Sequence, residues 1–383
     1  MPEMGSPAFG NRSPDEPFSA LHALRLWELR PEILQRFIRA LPKIDLHCHI
    51  EGAIDPELYF EVGTRHGISL PAATLDALRP LLQITPQDKS LIDFLKKFPP
   101  IGQIFSGTQA IEEIAYSIAV KASRDKVIYW EPRFSPLYMA QAYHLDPAEV
   151  VQSVVNGTRA AERDHGIRSN LILIAERQMG VQAAWQVFRL FEKFKSQGVV
   201  ALDLANDELN FPPDPYAEVF QAVKQAGGAA TAHAAEVPRP ENVRCVIEKL
   251  QVDRIGHGVL ACLDAAVVSL IRERQVPLEI CLTSNLQTGA WPDIRTHPVW
   301  QYQRSGIAVT LNTDDPAVSR IDLSEELCSA TREGLLTAGD LCAIMVNSAR
   351  FAFLPGSQRI ALEERIVTNF YSLLSEALGW QPA

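Results

Sequence analysis

Eight short apolar runs, each rich in Val, Ile and Leu, constrain this chain more than any other feature. They fall near residues 43–49, 127–133, 171–176, 199–204, 229–234, 254–258, 277–283 and 307–313. Stretches with helical patterning, such as 147–165, 181–197, 215–226 and 263–275, lie between them. Continuous apolar strands predict a sheet buried on both faces, and a helical crossover between strands makes neighbours run parallel. Eight such units predict an α/β fold, a (β/α)8 barrel of the TIM type with extra helices at the N-terminus and C-terminus.

The chain has 383 residues, more than a typical single domain, and one large barrel accommodates that length. Residues 1–20 are rich in Pro, Gly and Ser and are expected to form a disordered tail. Residues 21–41, with apolar Leu24, Trp27, Ile33, Leu34, Phe37 and Ile38 at broadly helical spacing and a break near Pro31, read as a cover at the start of a single domain spanning 21–383. A hydrophobic fraction of 47% supplies a sizeable core, and the net charge of -10 comes without a basic patch interleaved with aromatics, which excludes a nucleic-acid footprint. No apolar run reaches the roughly 18 residues that span a bilayer, and the first residues lack a signal-peptide core, so a cytoplasmic protein acting on a small molecule is expected. The six cysteines are scattered with no C-x-x-C, which fits a reducing compartment and excludes a four-cysteine zinc site.

Barrels of this kind carry their chemistry at the C-terminal ends of the strands, so titratable residues should cluster where each apolar run stops. The first run ends in His47 and His49, and the second in Glu131 and Arg133. The fourth ends in Asp203 with Asp207 and Glu208 beyond it, the fifth in His233 and Glu236, and the sixth in His257. The seventh ends in Ser284 and Asn285, and the eighth in Asp314 and Asp315. A spacing of two on a strand sends both His47 and His49 to the same face. Three imidazoles and a carboxylate, His47, His49, His233 and Asp314, make a ligand set suited to one divalent first-row cation, with zinc favoured because it needs no redox partner. The fourth run contains no lysine to bridge a second ion. A water on such a cation becomes a nucleophile near neutral pH, with His257 placed to take its proton and Glu236 to deliver one to a substrate. The remaining histidines, His22, His66, His144, His165 and His297, are expected at the surface or as caps.

In this order, PKIDLHCHIEGAI, FLKKF, EPRFSPLYMA, DLANDELNFPP, TAHAAE, RIGHG, CLTSNLQT and LNTDDPAV resemble the adenosine deaminase family of the metal-dependent amidohydrolases, from about residue 42 to beyond 320. The resemblance implies one zinc on His47, His49, His233 and Asp314, Glu236 protonating purine N1, His257 handling the water, and Asp315 hydrogen-bonded to purine N7 as the acceptor. It also implies an apolar flap of Leu91, Phe94 and Phe98, Asn206 offering its backbone N–H to N3, and Glu51 near the sugar 5′-hydroxyl. The spacing of the three flap residues fits plain helix packing equally well. The implied reaction is hydrolysis at C6 of adenosine or 2′-deoxyadenosine to inosine or 2′-deoxyinosine and ammonia, in purine salvage.

Three positions depart from the family pattern: Asn206 and Ala235 stand where it has glycine, and Glu51 where it usually has aspartate. A left-handed backbone at 235 would be strained by the added methyl. Glu51 matches relatives that act on free adenine, so adenine or a modified adenine nucleoside is the alternative substrate. A hydrolase of cyclic amides or phosphoesters, or a barrel that binds nucleosides without turnover, is a further reading. The H-x-E with P-C-x-x-C signature of the other zinc deaminases is absent.

Overall fold

The structure, a computed structural model, describes residues 21–378; the expected disordered tail lies outside them. Nine strands form one sheet: β1 (Lys43–His49), β2 (Val127–Phe134), β3 (Arg168–Ser169), β4 (Leu171–Glu176), β5 (Val199–Ala205), β6 (Ala229–Ala234), β7 (Arg254–His257), β8 (Leu278–Ile280) and β9 (Val309–Leu311). The two-residue β3 hangs on β2, and the other eight follow one another in parallel around the sheet. The (β/α)8 barrel and its eight strands stand as the apolar runs indicate.

Closure of the barrel is achieved partly by side chains. β9 stops at Leu311 because Asn312 takes over the ladder: its amide nitrogen donates to Ile280 O (3.2 Å) and its oxygen accepts from Leu46 N (3.1 Å). Beyond it, Asp314 N donates to His47 O (2.8 Å) and His49 N to Asp314 O (2.7 Å), joining the chain after β9 to β1. Three of the residues expected to hold a metal therefore sit on the seam that closes the barrel.

The helices follow local rules. In Pro147–His165, Asp146 caps the N-terminus by accepting from Ala148 N, Pro147 fills the first turn, and Gly166 ends the helix at φ 71. Its Val150, Val151, Val154, Val155 and Ala161 are buried. Gly157 lets it lie against the helix Thr108–Arg124, since a Cβ there would sit 2.3 Å from Glu112 O. The N-terminal cover is less regular than expected: two 3-10 turns, Leu21–Ala23 and Leu26–Glu28, precede the helix Pro31–Ala40. That helix buries Leu34, Phe37 and Ile38, and Phe37 meets Phe370 of the long C-terminal helix edge-on at 5.4 Å.

The seventh run is shorter than its apolar pattern. β8 ends at Ile280, and Ser284 and Asn285 lie on the helix Leu282–Gln287 rather than at the strand end. The flap stripe is also split. Leu91–Leu95 and Phe98–Gly102 are separate short helices, the first capped by Ser90 accepting from Asp93 N. Phe94 is buried and Phe98 half-buried, with ring centroids 6.1 Å apart. His297, expected at the surface or as a cap, is instead buried ahead of the helix Val299–Arg304, its Nδ1 accepting from Val299 N (3.2 Å). Burial pushes its imidazole down to about 3. All six cysteines are free, and among the described residues no helix is long and apolar enough to cross a membrane.

Candidate active site

The two histidines of β1 reach a common point because they share a strand face. His47 Nε2 and His49 Nε2 lie 3.1 and 3.2 Å from Asp314 Oδ1. His233 comes from the end of β6 and His257 from the end of β7, their ring centroids 4.7 and 4.9 Å from that of His47. His47, His233, His257 and Asp314 each offer a ligand atom within 4.8 Å of the others, all from buried residues. His49, largely buried, stands beside this group of four.

Whether these residues fit a metal is decided by what their other nitrogens do. His47 Nδ1 is engaged by Glu279 (2.8 Å), while its buried Nε2 faces Asp314 Oδ1 at 3.1 Å without a well-aligned hydrogen bond. His233 Nδ1 is engaged by Asp203 (3.1 Å). A carboxylate on one ring nitrogen fixes the tautomer that leaves the other as a metal ligand. The donor set of imidazoles and one carboxylate suits a borderline divalent cation, so the fit is good.

Behind the histidines sits a layer of charge. Arg133 reaches Asp203 (2.8 Å), Glu279 (2.7 Å) and Leu46 O (2.7 Å), and Arg254 pairs with Glu279 and with Glu131 (2.7 Å). The strand ends mark Arg133, Asp203 and Glu131 as polar positions but not as partners of one another. Glu279 has no sequence signal, because a carboxylate inside the three-residue Leu278–Ile280 strand looks like an interruption. Glu208, just beyond the fourth run, accepts from Ala235 N (2.7 Å), Glu236 N (3.1 Å), Val237 N (3.3 Å) and Asn242 Nδ2 (3.0 Å). It holds the turn in which Ala235 adopts φ 54, a left-handed backbone that its methyl strains. Asn206, His257 and Asp314 also have φ between 61 and 76, so the rim holds several side chains in uncommon backbone conformations.

Electrostatics divide the carboxyl groups. Burial opposes the charge on Asp314, but His257, His47 and His49 hold it well below the usual carboxylate range. Burial, with Asp314 and Glu208 nearby, pushes Glu236 up to about 8. Its Oε2 lies 3.7 Å from His257 Nε2. Burial next to Asp314, Glu51 and Glu236 drives Asp315 well above its ordinary value, and its Oδ1 has no partner. Gly52 is required beside it, because a Cβ there would overlap Asp315 Oδ1 at 1.7 Å. Burial also holds His257 well below the ordinary imidazole value, and its Nδ1 lies 3.1 Å from Asn285 Nδ2.

A family model described as adenosine deaminase matches residues 42–369. The chain is 36% identical over 329 residues to the adenosine deaminase of Escherichia coli O1:K1, a match covering 86% of this chain and 98% of the relative. Among solved structures, the adenine deaminase from Arthrobacter aurescens superposes with a TM-score of 0.79 at 25% identity, covering 86% of this chain and 98% of its own. A zinc-bound amidohydrolase from Burkholderia ambifaria gives 0.81 at 22% identity, covering 90% and 95%, and speaks to the fold alone. On the strength of a match that runs nearly the whole barrel and a relative spanned almost end to end, the chain belongs to the adenosine deaminase family.

Proposed function

We propose that the protein hydrolyses the C6–amino bond of adenosine and 2′-deoxyadenosine, consuming water and releasing ammonia with inosine or 2′-deoxyinosine. The observation that carries this reading is the meeting, on one rim, of a histidine–aspartate cation site with two carboxyl groups, Glu236 and Asp315, whose surroundings favour the protonated form. Family membership and the adenosine deaminase relative support it.

His47, His49, His233 and Asp314 would hold the cation, zinc by preference, with His257 immediately beside it. When bound there, a divalent cation makes a water acidic enough to attack at neutral pH. Glu236, pushed up to about 8, carries a proton at pH 7 and donates it to purine N1, which draws electrons from the ring and makes C6 electrophilic. His257 is neutral at that pH and accepts the proton of the attacking water. Asp315 takes a role opposite to the one the resemblance suggests. Purine N7 bears no hydrogen, so a buried, protonated Asp315 donates to it rather than accepting. Leu91, Phe94 and Phe98 cover the ring from solvent, with Phe98 O accepting from Tyr138 Oη (2.6 Å).

The test is incubation of the zinc-loaded protein with adenosine and deoxyadenosine, following ammonia and the shift of the purine ultraviolet band. Equal amounts of ammonia and inosine are expected; silence with both nucleosides, and with adenine, would end the reading. Free adenine or a modified adenine nucleoside remains the second reading, favoured by Glu51 and by the adenine deaminase neighbour. The same proposal places the enzyme in purine salvage in the cytoplasm.

A further inference from the structure

Among the described residues no hydrogen bond holds the Glu236 carboxyl, and its Oε2 comes only within 3.7 Å of His257 Nε2. The group that gives up the proton is therefore placed by its backbone, in the turn that follows His233 at the end of β6. That turn is held from both sides. On the carbonyl side, His233 O accepts from Arg177 Nη2 (2.6 Å), Ala234 O from Gly258 N (3.0 Å) and Ala235 O from Leu260 N (2.7 Å). On the amide side, three consecutive N–H groups, those of Ala235, Glu236 and Val237, all donate to one side chain, Glu208.

Glu208 stands just after β5, is buried, and reaches across to the end of β6. Its Oε1 takes Ala235 N and Asn242 Nδ2, and its Oε2 takes Glu236 N and Val237 N. Four donors shared between two oxygens call for the ionised carboxylate, which accepts at both. Burial works against that charge, and the Asn242 amide and the N–H groups of the turn work for it. The residue at the centre of the turn makes the grip necessary. Ala235 sits at φ 54, where its methyl is strained, so the surroundings must over-determine the conformation for it to persist.

We propose that Glu208 is a positioning residue for the deamination step: by gripping the N–H groups of Ala235, Glu236 and Val237 it fixes where the Glu236 carboxyl meets the purine. This rests on the deaminase reading and deepens it. Glu208 acts on the reaction only through the turn. Arg177, which lies in the field of Glu208, holds the carbonyl of His233 at the start of the same turn, so the two together set the offset between a cation-binding histidine and the acid. In Glu208→Gln an amide nitrogen replaces one acceptor oxygen and faces N–H donors, so at least one bond to the turn is lost. A shift of the acid on the order of 1 Å is enough to cost about 10²-fold in rate.

Steady-state kinetics with adenosine on the zinc-loaded wild type, Glu208→Gln, Glu236→Gln and the double variant provide the test. Glu208→Gln should lower kcat about 10- to 100-fold while KM and bound zinc stay within about twofold of wild type. In the Glu236→Gln background the same change should cost less than about twofold, because the acid it positions is gone. An unchanged kcat, an equal loss in both backgrounds, or a loss that follows missing zinc would mean a merely structural role and overturn the proposal. If Glu208→Gln does not fold, Asn242→Ala, which removes one donor to Glu208, should lower kcat about 3- to 5-fold in wild type and leave Glu236→Gln unaffected. An unchanged kcat or equal losses there would overturn the proposal as well. If wild type turns over neither adenosine nor deoxyadenosine, the deaminase reading fails separately, and amide hydrogen exchange decides the grip on the turn. Glu208→Gln should then speed exchange at Ala235, Glu236 and Val237 about tenfold or more, and unchanged protection overturns it.

Discussion

At the rim, His47 Nε2, Glu51 Oε2 and Asp315 Oδ1 are buried without hydrogen-bond partners, while behind them Arg133, Asp203, Glu279, Arg254 and Glu131 each hold at least one ion pair. Both regions are buried and both are rich in charge. They differ in closure. The inner layer pairs its cations with its carboxylates inside the protein, and Arg254 also lies over the Phe353 ring at 3.5 Å. The inner layer also has buried nitrogens without hydrogen bonds, Arg133 Nε and Arg254 Nη2, but its charges are balanced inside the protein, whereas the open atoms of the rim belong to residues proposed to meet a ligand. Burial of charge therefore says little about function; how that charge is balanced says more.

Five substitutions, one of them read as a pH series, can break or sharpen that contrast. The largest effect is expected from His233→Ala, which should drop bound zinc from about one per chain to background and abolish turnover, while the fold survives by circular dichroism. Stoichiometric zinc in that variant would remove His233 from the ligand set. Glu236→Gln should keep its zinc and its thermal stability but lose about 10² to 10⁴-fold in kcat, the usual worth of general acid–base help. Near-normal turnover would show that the N1 proton comes from another group.

The inner layer should behave the other way round. Arg133→Met leaves Asp203 and Glu279 without that cation in the barrel interior, and should cost about 3–5 kcal/mol in denaturant melts. A small loss there, beside a large one for Glu236→Gln, would dissolve the division between the two layers. Glu326 is an intermediate case, buried and hydrogen-bonded to Thr283. Burial pushes its carboxyl up to about 7. Because the folded state binds this proton more tightly than the unfolded chain, the contribution is present below the ordinary carboxyl value and is lost as pH rises through about 7. Wild type should lose about 3 kcal/mol from this group over that window, and Glu326→Gln should flatten the slope. Parallel pH profiles for the two proteins would refute the assignment. The smallest effect belongs to Asn285→Ala, which removes a neutral hydrogen bond to His257 and should lower kcat about 5- to 10-fold with little change in melting.

Much of the site was legible because barrel architecture turns a one-dimensional fact, where each apolar run stops, into a location. His47, His49, His233, Glu236, His257, Asp314 and Asp315 all lie at run ends, and the structure gathers the three buried histidines with Asp314. Glu279 escaped that rule, and Glu176 obeys it without being singled out. Glu279 sits inside a strand too short to show alternation, and its meaning comes from His47, Arg133 and Arg254, which are distant in sequence. Glu176 ends β4, yet nothing in its neighbourhood along the chain announces Ser135 or Asn206 as partners. The shape of the flap segment is hidden for a related reason: spacing cannot reveal that Leu91–Leu95 and Phe98–Gly102 are two helices.

The sequence by itself determined the eight strands, their parallel order and the face of β1 that carries two imidazoles, because apolar periodicity and side-chain alternation depend on neighbouring residues. Tertiary structure decided which charges are balanced inside the protein and which face the rim: the seam at Asp314, the carboxylates that engage His47 and His233, the burial that raises Asp315 and the buried place of His297. Those properties come from burial and from charges brought together across the barrel, and neither is a property of any short stretch of chain.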